Sequence, residues 1–523
     1  MLGLAESSGV VANSTSLVLV SAATALVGLW VWSQQKPRKD FPPGPKGWPV
    51  LGNILEFMSD TPPQIIFLEH AKKYGDIFSI RIGQRWTVIL NGATVIKEAL
   101  LKKGIEFANR PSSFSIDLFS EGGKDIVFGQ FTPTWKLHRK LAYSAFRTLA
   151  TGNNERFEKL VYSILPGLIK HLDSKGSEPF NPKTTMASSI YNILATMCFG
   201  KQFEFDGPEV KFWMRMSQQG IELVGNGLAA DFIPIMKHIP TPAVQKLKKF
   251  THEFYGAINK EMEEHKASYD GGEPKDLIEI LLQIRQEMED EGSEDMTMIT
   301  ETHIRQTVAD VFGGMIAVLL HISCIVSGTD TSIFTMHWSV GLLVQYPEIQ
   351  AKVAAEVDKV VGRDRLPCLN DRDNLPYTTA TLYEVIRYST IAPLSVPHAT
   401  SKEVEIGGYT IPEGTWVLVN LYSMHYDEKL WDEPHKFQPE HFLDETGEVR
   451  LHPEGFLPFS TGRRVCLGES VAKAELLLIF SWLFQHYKFS KAPGMEDEEY
   501  AESTTVAFGN MLKEKDVVVE KRF

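Results

Sequence analysis

A ten-residue segment near the C-terminus combines residue types that suit a metal-containing cofactor. It runs from Phe459 to Gly468 and reads FSTGRRVCLG. The thiolate of Cys466 would be a strong iron ligand, and glycines such as Gly462 let a backbone turn and approach a flat group closely. Arg464 suits paired hydrogen bonds to a carboxylate. The spacing F-x-x-G-x-R-x-C-x-G favours iron binding over the alternative, an inert buried cysteine at a helix start.

The remaining cysteines and the overall charge exclude several kinds of site and partner. Cys198, Cys324 and Cys368 are scattered without a CxxC pair, which indicates isolated thiols in a reducing compartment. A disulfide framework or a zinc site would need denser spacing. The net charge of −13 in 523 residues argues against nucleic acid as the main partner, because phosphate binding needs a clustered positive surface.

Two further pairs of residues have the spacing of neighbours on one helix face. Glu384 and Arg387 place an acid and a base one turn apart, although such pairs are also common on solvated helices. Trp135 and Arg139 place an aromatic ring and a cation on one face, which suits contact with a single anionic group. Each pair alone is weak evidence for a functional site, and its interpretation depends on the secondary-structure elements that position it.

Those elements are predicted to be mostly helices. Alternating β-rich residues between 74 and 91 predict a strand pair around Gly83, and a second strand-rich stretch covers 403–419. Apolar residues recur with helical periodicity over 157–172, 250–265, 277–288 and 349–361. The expected fold class is therefore mainly α with a small β part, in a single large α-rich domain.

The N-terminal segment is predicted to anchor the chain in a membrane. Residues 16–32 are apolar and uncharged, and a basic cluster follows them directly. This order predicts an uncleaved signal-anchor helix within residues 1–35, with the bulk of the chain in the cytosol. A cleaved signal peptide is the alternative. The proline-rich residues 36–53 then form a stiff linker to a catalytic domain over 54–523.

Together these motifs resemble the cytochrome P450 family, and the resemblance covers essentially the whole chain after the anchor. It is nearest to microsomal animal members, the steroid 17-alpha-hydroxylase/17,20-lyase group and its aryl-hydrocarbon-oxidising relatives. Segments 135–139, 391–398 and 457–466 carry it. It implies the cytochrome P450 fold and a haem b cofactor whose iron takes its axial thiolate from Cys466.

The implied activity is that of a monooxygenase. One oxygen atom of O2 would enter an apolar substrate, a steroid or a similar lipophile. NADPH would supply the electrons through the membrane-bound NADPH–cytochrome P450 reductase, with cytochrome b5 as a second partner. The implied location is the endoplasmic reticulum membrane, with one span and the catalytic domain in the cytosol.

The resemblance also assigns roles to single residues. The expected cofactor-binding residues are Cys466, Phe459, Gly462, Arg464, Gly468, Trp135, Arg139 and His398. Arg464, Trp135, Arg139 and His398 would contact the haem propionates, and a satisfied loop histidine is the alternative for His398. Glu384 and Arg387 would brace the core. His441 stands where arginine is commonest, so this third contact is expected to be weaker and partly pH-dependent.

The segment GTDTS from Gly328 to Ser332 resembles the family's oxygen-activating motif on a long central helix. By that resemblance Thr331 would donate a hydrogen bond to oxygen, and Asp330 would supply protons. The expected substrate-pocket residues are Val127, Phe128 and Gln218. The expected reductase-binding face consists of Lys136, Lys140, Arg147 and Arg463, with ordinary solvated charges as the alternative. The apolar segment 232–235 would dip into the membrane or, alternatively, form a covered surface loop.

The chain departs from the family pattern immediately before Gly328. Family members pass from a segment like 309–313 through one small residue into the motif, whereas here residues 314–327 intervene. A helical run of about thirteen extra residues would separate the two halves by ~20 Å and rotate their register by over half a turn.

Three explanations of this run stay open. It is an unspliced or mispredicted segment of the gene, which is the favoured explanation, or a bulging loop, or part of a real but inactive variant. We expect this chain to bind haem poorly or turn over slowly, and a version without the run to be active. A non-oxygenase haem-thiolate enzyme and a catalytically impaired haem protein stay open as functions, and the pair Asp330 and Thr331 argues against the first.

Overall fold

The computed structural model describes residues 16, 18–25, 27–28, 38–48, 51–83, 85–225, 228–232, 234–312, 315–319, 322–326, 328–450, 452–506 and 509–523. Most of the predicted anchor within 1–35 lies outside these residues, as does Ile233 of the predicted membrane-contacting segment. Among the helices of the described part, none has both the length and the apolar character needed to cross a membrane.

Helices make up most of the described chain, as the periodicity predicts. Numbered in chain order from Pro63, they are α1 Pro63–Tyr74, α2 Ala93–Lys97, α3 Phe114–Phe119, α4 Pro133–Phe146, α5 Asn154–Tyr162, α6 Leu165–Lys175, α7 Pro182–Phe199, α8 Pro208–Gly225, α9 Ala229–Phe232, α10 Pro242–Ser268, α11 Leu277–Asp290, α12 Glu301–Phe312, α13 Gly328–Gln345, α14 Pro347–Val361, α15 Pro376–Ser389, α16 Tyr422–His425 and α17 Glu469–His486. Short 3-10 turns cover Ile54–Met58, Pro234–His238, Glu294–Thr297, Leu369–Asn374, Pro439–Phe442 and Gly462–Arg464, and π turns cover Glu98–Lys102 and Arg147–Thr151.

Several helices begin where a capping side chain precedes a proline. Thr132 accepts a hydrogen bond from the Trp135 amide at the start of α4, and proline follows it at the first helical position. Thr241 does the same for Val244 at the start of α10. The cap satisfies an otherwise free amide, and proline needs none. The predicted helix over 157–172 is instead split into α5 and α6, since Pro166 stands at the start of α6 and favours a new first turn.

The strands form one four-stranded sheet and several two-stranded ones. They are β1 Ile77–Ile82, β2 Arg85–Leu90, β3 Met315–Leu319, β4 Ile322–Val326, β5 His398–Ala399, β6 Val404–Ile406, β7 Tyr409–Ile411, β8 Trp416–Val419, β9 Tyr487–Lys491, β10 Ser503–Val506, β11 Gly509–Leu512 and β12 Val517–Lys521. The main sheet has the order β1-β2-β8-β5, and its β1–β2 hairpin turns at Gly83, as predicted. Its β2–β8 contact is parallel.

The inserted run forms a β-hairpin that projects from the central helix. Strands β3 and β4 pair antiparallel, from Met315 opposite Val326 to Leu319 opposite Ile322. Helix α12 ends at Phe312 and α13 begins at Gly328, so the helix stops and restarts around the hairpin. The displacement expected for a helical insertion therefore does not occur, because the extra residues pair with each other. Of the three explanations of the run, the bulging loop is the one that matches this geometry, although the extra residues form strands and not a loop.

The core surrounds α13 and α17. Both helices are apolar on nearly all sides, which is the pattern of a helix enclosed by protein. Trp338 of α13 and Trp482 of α17 are each 1% exposed. Because α13 carries the GTDTS motif and α17 directly follows the Cys466 segment, the core fixes both motifs rigidly.

Candidate functional site

An internal cavity of about 270 Å³ lies where α13 approaches the segment before α17. Its walls include Cys466 from that segment and Thr331 from α13. Much of the remaining lining is apolar, with side chains such as Val396, Leu467 and Val471. The structure thus brings the two strongest sequence motifs to one cavity.

The segment that presents Cys466 is held by its backbone. The Cys466 amide donates to the Phe459 carbonyl at 3.0 Å, which closes the segment into a loop. Gly462 has φ +77°, and a Cβ at this position would lie 1.9 Å from the Leu100 carbonyl oxygen. Only glycine fits that backbone and that contact. Gly468 precedes the first residue of α17, so the cysteine sits just before a helix start.

Burial and the neighbouring polar groups shift the pKa of the Cys466 thiol in opposite directions. The Cys466 side chain is accessible and lines the cavity. Burial raises the pKa of the Cys466 thiol, whereas the Gly468 amide and the Arg139 guanidinium lower it. Amide N–H groups directed at the sulfur favour the thiolate and tune its donor strength. The thiolate is the form that binds iron.

Three arginines contribute cations to the cavity. Arg464 is buried and donates to the carbonyls of Ala108 at 2.7 Å and Ile126 at 3.2 Å. Arg139 reaches the Val465 carbonyl, and Arg110 lines the same space. The cavity therefore has a sulfur ligand, an apolar lining and several cations, a combination that fits a flat apolar cofactor with acidic side groups.

Trp135 and His398 lie near these arginines but do not line the cavity. The Trp135 indole donates to the Ile126 carbonyl at 2.8 Å, and its ring centroid lies 3.8 Å from the Arg464 guanidinium carbon. Neither Trp135 nor His398 is among the cavity-lining residues. His398 is buried in β5, where its Nδ1 lies 2.7 Å from the Phe107 carbonyl oxygen. Burial and the charge of Arg110 lower the pKa of His398 strongly, so the ring is neutral.

Asp330 does not face the cavity as Thr331 does. It is 2% exposed, and the Ser217 hydroxyl lies 2.9 Å from both of its carboxylate oxygens. Burial raises the pKa of Asp330 to about 6, against the effect of the Ser217 hydrogen bond. The carboxyl can therefore hold or release a proton near neutral pH.

The three predicted substrate residues are placed differently. Val127 lines the cavity, and Phe128 is 2% exposed within the hydrophobic core beside it. Gln218 lies on the exposed side of α8, where its amide donates to Glu222 at 3.1 Å. The structure thus does not bring Gln218 to the cavity. Its neighbour Ser217 is buried and points toward Asp330 of α13, because adjacent helical residues point about 100° apart.

Glu384, Arg387 and His441 meet in the core. Arg387 forms two hydrogen bonds of 2.7 Å with the Glu384 carboxylate, and both side chains are fully buried. His441 Nδ1 lies 3.0 Å from the same carboxylate, and its Nε2 lies 2.5 Å from the Asp432 carbonyl oxygen. His441 therefore links the buried Glu384 carboxylate to the backbone at Asp432.

The sequence assigns no role to three charged residues that line the cavity, Arg110, Asp310 and Glu475. The Ser332 hydroxyl donates to Glu475 of α17 at 2.5 Å, and burial raises the pKa of Glu475 to about 7. None of the three lies in a spaced motif. The available signal was a charged residue within an otherwise apolar stretch, as at Asp310 in the ADVFG segment.

The four cations expected to receive a redox partner are all solvent-exposed: Lys136, Lys140, Arg147 and Arg463. The first two belong to α4, which also carries Arg139 toward the cavity. Arg463 lies three residues before Cys466. Because Arg139 reaches the Val465 carbonyl, α4 lies next to the cysteine loop in space.

Comparisons with known proteins identify relatives of this chain. Residues 42–517 match the family model described as Cytochrome P450. The chain is 34% identical over 449 residues to steroid 17-alpha-hydroxylase/17,20 lyase of Squalus acanthias, covering 86% of each protein. It is 34% identical over 455 residues to the protein of the same name from Ictalurus punctatus, covering 87% of this chain and 86% of the relative. It is 31% identical over 498 residues to cytochrome P450 1A1 of Macaca mulatta, covering 92% of this chain and 94% of the relative.

Proposed function

Since this chain belongs to the cytochrome P450 family of haem-thiolate monooxygenases, we propose that it inserts one oxygen atom of O2 into a steroid or similar lipophile. The observation that carries the proposal is the shared cavity, which has Cys466 and Thr331 in its walls. A lone reactive cysteine or a lone hydroxyl would support many functions. Their meeting in one largely apolar cavity supports oxygen chemistry on an apolar substrate.

The cysteine loop and the cavity arginines would hold the cofactor. Bound haem supplies the iron that activates O2, with electron donation from a thiolate. Cys466 would provide that thiolate, and the Gly468 amide would stabilise it. Arg464, Arg139 and Arg110 would bind the propionates. Trp135 and His398 would support these arginines from behind, since neither lines the cavity.

Thr331 and Asp330, which belong to α13, would deliver protons to the reaction. The Thr331 hydroxyl would donate a hydrogen bond to oxygen within the cavity. Asp330, held by Ser217, would resupply the proton, because its pKa of about 6 allows exchange near neutral pH. The apolar lining would exclude bulk water and so limit proton leakage.

The substrate class follows from the lining and the relatives. Side chains such as Val127 and Val396 offer apolar contact, which suits a rigid hydrocarbon skeleton. The relatives from Squalus acanthias and Ictalurus punctatus carry names of steroid hydroxylases. We therefore place steroids first among the candidate substrates and aromatic hydrocarbons second.

We further propose that NADPH–cytochrome P450 reductase supplies the electrons and that cytochrome b5 binds the same face. The exposed cations Lys136, Lys140, Arg147 and Arg463 support this assignment, because an acidic partner would be steered toward them. A single N-terminal span in the endoplasmic reticulum membrane completes the proposal. It rests on the apolar residues 16–32 and the basic cluster that follows them.

A catalytically impaired haem protein is the second candidate function. The hairpin β3–β4 interrupts the central helix between Asp310 and Thr331, both of which line the cavity. A third possibility, a non-oxygenase haem-thiolate enzyme, would have no use for the Asp330 and Thr331 pair.

The test begins with the carbon monoxide difference spectrum of the reduced protein. A thiolate-type absorption band is expected, and its absence from a haem-containing preparation would contradict the assignment. NADPH consumption is then measured with reductase and a panel of steroids and aromatic hydrocarbons. Oxygenated product is expected from at least one steroid. A thiolate-type band without any product would instead support the impaired protein.

A further inference from the structure

One buried histidine connects the base of the cysteine loop to the core. His425 is the last residue of α16, lines the cavity and is 1% exposed. Its Nε2 accepts a hydrogen bond of 3.3 Å from the amide of Leu457, which lies two residues before the loop begins at Phe459. On the other side of the ring, Nδ1 lies 2.9 Å from the Thr390 hydroxyl oxygen. The ring therefore lies between the cysteine loop and the residue that follows α15.

The hydrogen-bond network assigns one tautomer to this ring. Burial and the charge of Arg387 lower the pKa of His425 to about 3, so the ring is neutral at pH 7. The Leu457 amide can only donate, so Nε2 carries a lone pair and Nδ1 carries the proton. Nδ1 then donates to the Thr390 oxygen, and the Thr390 hydroxyl donates to the Arg387 carbonyl. Every donor in this series is matched to an acceptor in only one arrangement of protons.

The backbone of His425 is held as firmly as its ring. Arg387 Nη1 donates to the His425 carbonyl at 2.6 Å, and the same guanidinium forms the paired hydrogen bonds with Glu384. A buried cation with several acceptors fixes the main chain at this point. The ring is thus attached to the rigid core, and it provides a fixed contact for the loop.

The loop needs such a contact because one of its turns is strained. Ser460 has φ +60°, a left-handed backbone that a residue other than glycine adopts at a cost. The Ser460 amide donates to the Leu457 carbonyl at 3.0 Å, so this turn begins at the residue that His425 holds. The Cys466 amide then donates to the Phe459 carbonyl at 3.0 Å. The position of the sulfur therefore depends, through two backbone hydrogen bonds, on Leu457.

We propose that His425 is a positioning residue for the iron-binding thiolate, because its Nε2 holds the Leu457 amide and so fixes the loop that presents Cys466. The inference rests on the proposed function, since Cys466 is an iron ligand only when haem is bound. It gives each ring nitrogen a separate role, because Nε2 holds the loop and Nδ1 fixes the tautomer. Loss of the Nε2 acceptor leaves a buried amide unpaired and frees the base of the loop.

Two amide variants separate the roles of the two nitrogens. In His425→Gln the amide group lies as many bonds from Cβ as Nε2 does, so its oxygen still accepts from Leu457. In His425→Asn the amide group matches Nδ1 instead, and the Leu457 amide loses its acceptor. His337→Asn is the control for the loss of a buried histidine, since this ring lies on α13 near Lys183 and Glu514.

Hydrogen exchange of the haem-loaded full chain measures whether the Leu457 amide is held. It is read by mass spectrometry on a peptide that covers residues 456–459, in which Pro458 has no amide proton. We expect exchange to become about tenfold faster in His425→Asn, because a buried donor has lost its acceptor. Exchange should stay within about threefold of the wild type in His425→Gln and in His337→Asn.

Thiolate ligation is followed in the same samples. The thiolate-type carbon monoxide band of His425→Asn should be lost about tenfold faster in dilute guanidinium than that of the wild type. Its Fe(III)/Fe(II) reduction potential should rise, because weaker donation from the sulfur disfavours the oxidised iron. His425→Gln should keep the band and the potential of the wild type. A role in packing alone would change the two variants alike.

Four results would overturn the inference. Equal exchange in His425→Asn and the wild type would show that the ring does not hold the Leu457 amide. Equal losses in His425→Asn and His425→Gln would show that the ring only packs. Faster exchange in His425→Asn with an unchanged band and potential would show that Cys466 is positioned without this contact. A wild type that binds haem but lacks the thiolate band would refute the proposed function, and the role of His425 with it.

Discussion

The hydroxyl of Thr329 donates a hydrogen bond of 2.7 Å to the backbone carbonyl of Phe312, although the two lie seventeen positions apart in the chain. Phe312 is the last residue of α12, and Thr329 is the second residue of α13. The bond therefore joins the two halves of the central helix across the base of the inserted hairpin. It explains how the chain accommodates the extra residues without displacing Thr331 from the cavity.

Deletion of residues 314–327 is expected to preserve the fold and to raise turnover. The two helix ends already meet, so a direct connection requires little rearrangement. The hairpin interrupts the helix that carries both Asp310 and Thr331, and its removal restores a continuous element. Haem content and steroid turnover of both proteins would be compared, with circular dichroism as the control for helix content. Equal activity of the two proteins would refute this expectation.

Replacement of Cys466 by alanine is expected to abolish the thiolate-type absorption and to deplete bound haem. Cys466 is the cysteine that lines the cavity, and no nearby thiol is offered by Cys368, which lies between α14 and α15. Haem content and the carbon monoxide spectrum are the measurements. Cys368→Ala serves as the matched control and should leave both unchanged. A Cys466→Ala variant that keeps the thiolate band would contradict the whole site assignment.

Asp330→Asn is expected to stabilise the protein at neutral pH. The folded-state pKa of Asp330 is about 6, above the ordinary value near 4 in an unfolded chain. The folded state therefore binds more protons in this window, and ionisation of Asp330 costs stability as pH rises through it. Removing the carboxyl should add roughly 2–3 kcal/mol to the free energy of unfolding at about pH 7.5, and little at about pH 4.

Urea unfolding followed by circular dichroism at several pH values measures this difference. Ser217→Ala is the control, since it removes the hydrogen bond that lowers the pKa of Asp330 and should move the window upward. An Asp330→Asn effect of the same size at every pH would show that titration is not its cause. Turnover of Asp330→Asn should fall at the same time, because the proton source is lost.

Glu384→Ala is expected to destabilise the protein strongly. It leaves the Arg387 cation fully buried without its carboxylate, a loss that costs about 3–5 kcal/mol. Urea unfolding measures the change. Glu155→Ala is the matched control, because its pair with Lys159 is exposed and should contribute nothing measurable. A similar result for the two variants would mean that Glu384 and Arg387 do not brace the core.

The sequence alone determined the features that depend on local spacing. The loop from Phe459 to Gly468 could be recognised because its glycines, arginine and cysteine lie at fixed spacing, and the left-handed backbone at Gly462 is a local property that favours glycine. Glu384 and Arg387 could be paired because residues three apart share a helix face. The hairpin at Gly83 and the main helices followed from periodicity in the same way.

Tertiary structure decided everything that joins distant segments. Whether Ser217 or Gln218 faced inward depended on the rotation of α8 against α13, and periodicity does not fix that rotation to a single residue. The meeting of Ser332 with Glu475 required two helices to pack together across 143 positions of the chain. The inserted run formed strands because its backbone groups could pair with each other, which helical spacing could not reveal. Local spacing fixes which residues share a face, and only packing fixes what that face meets.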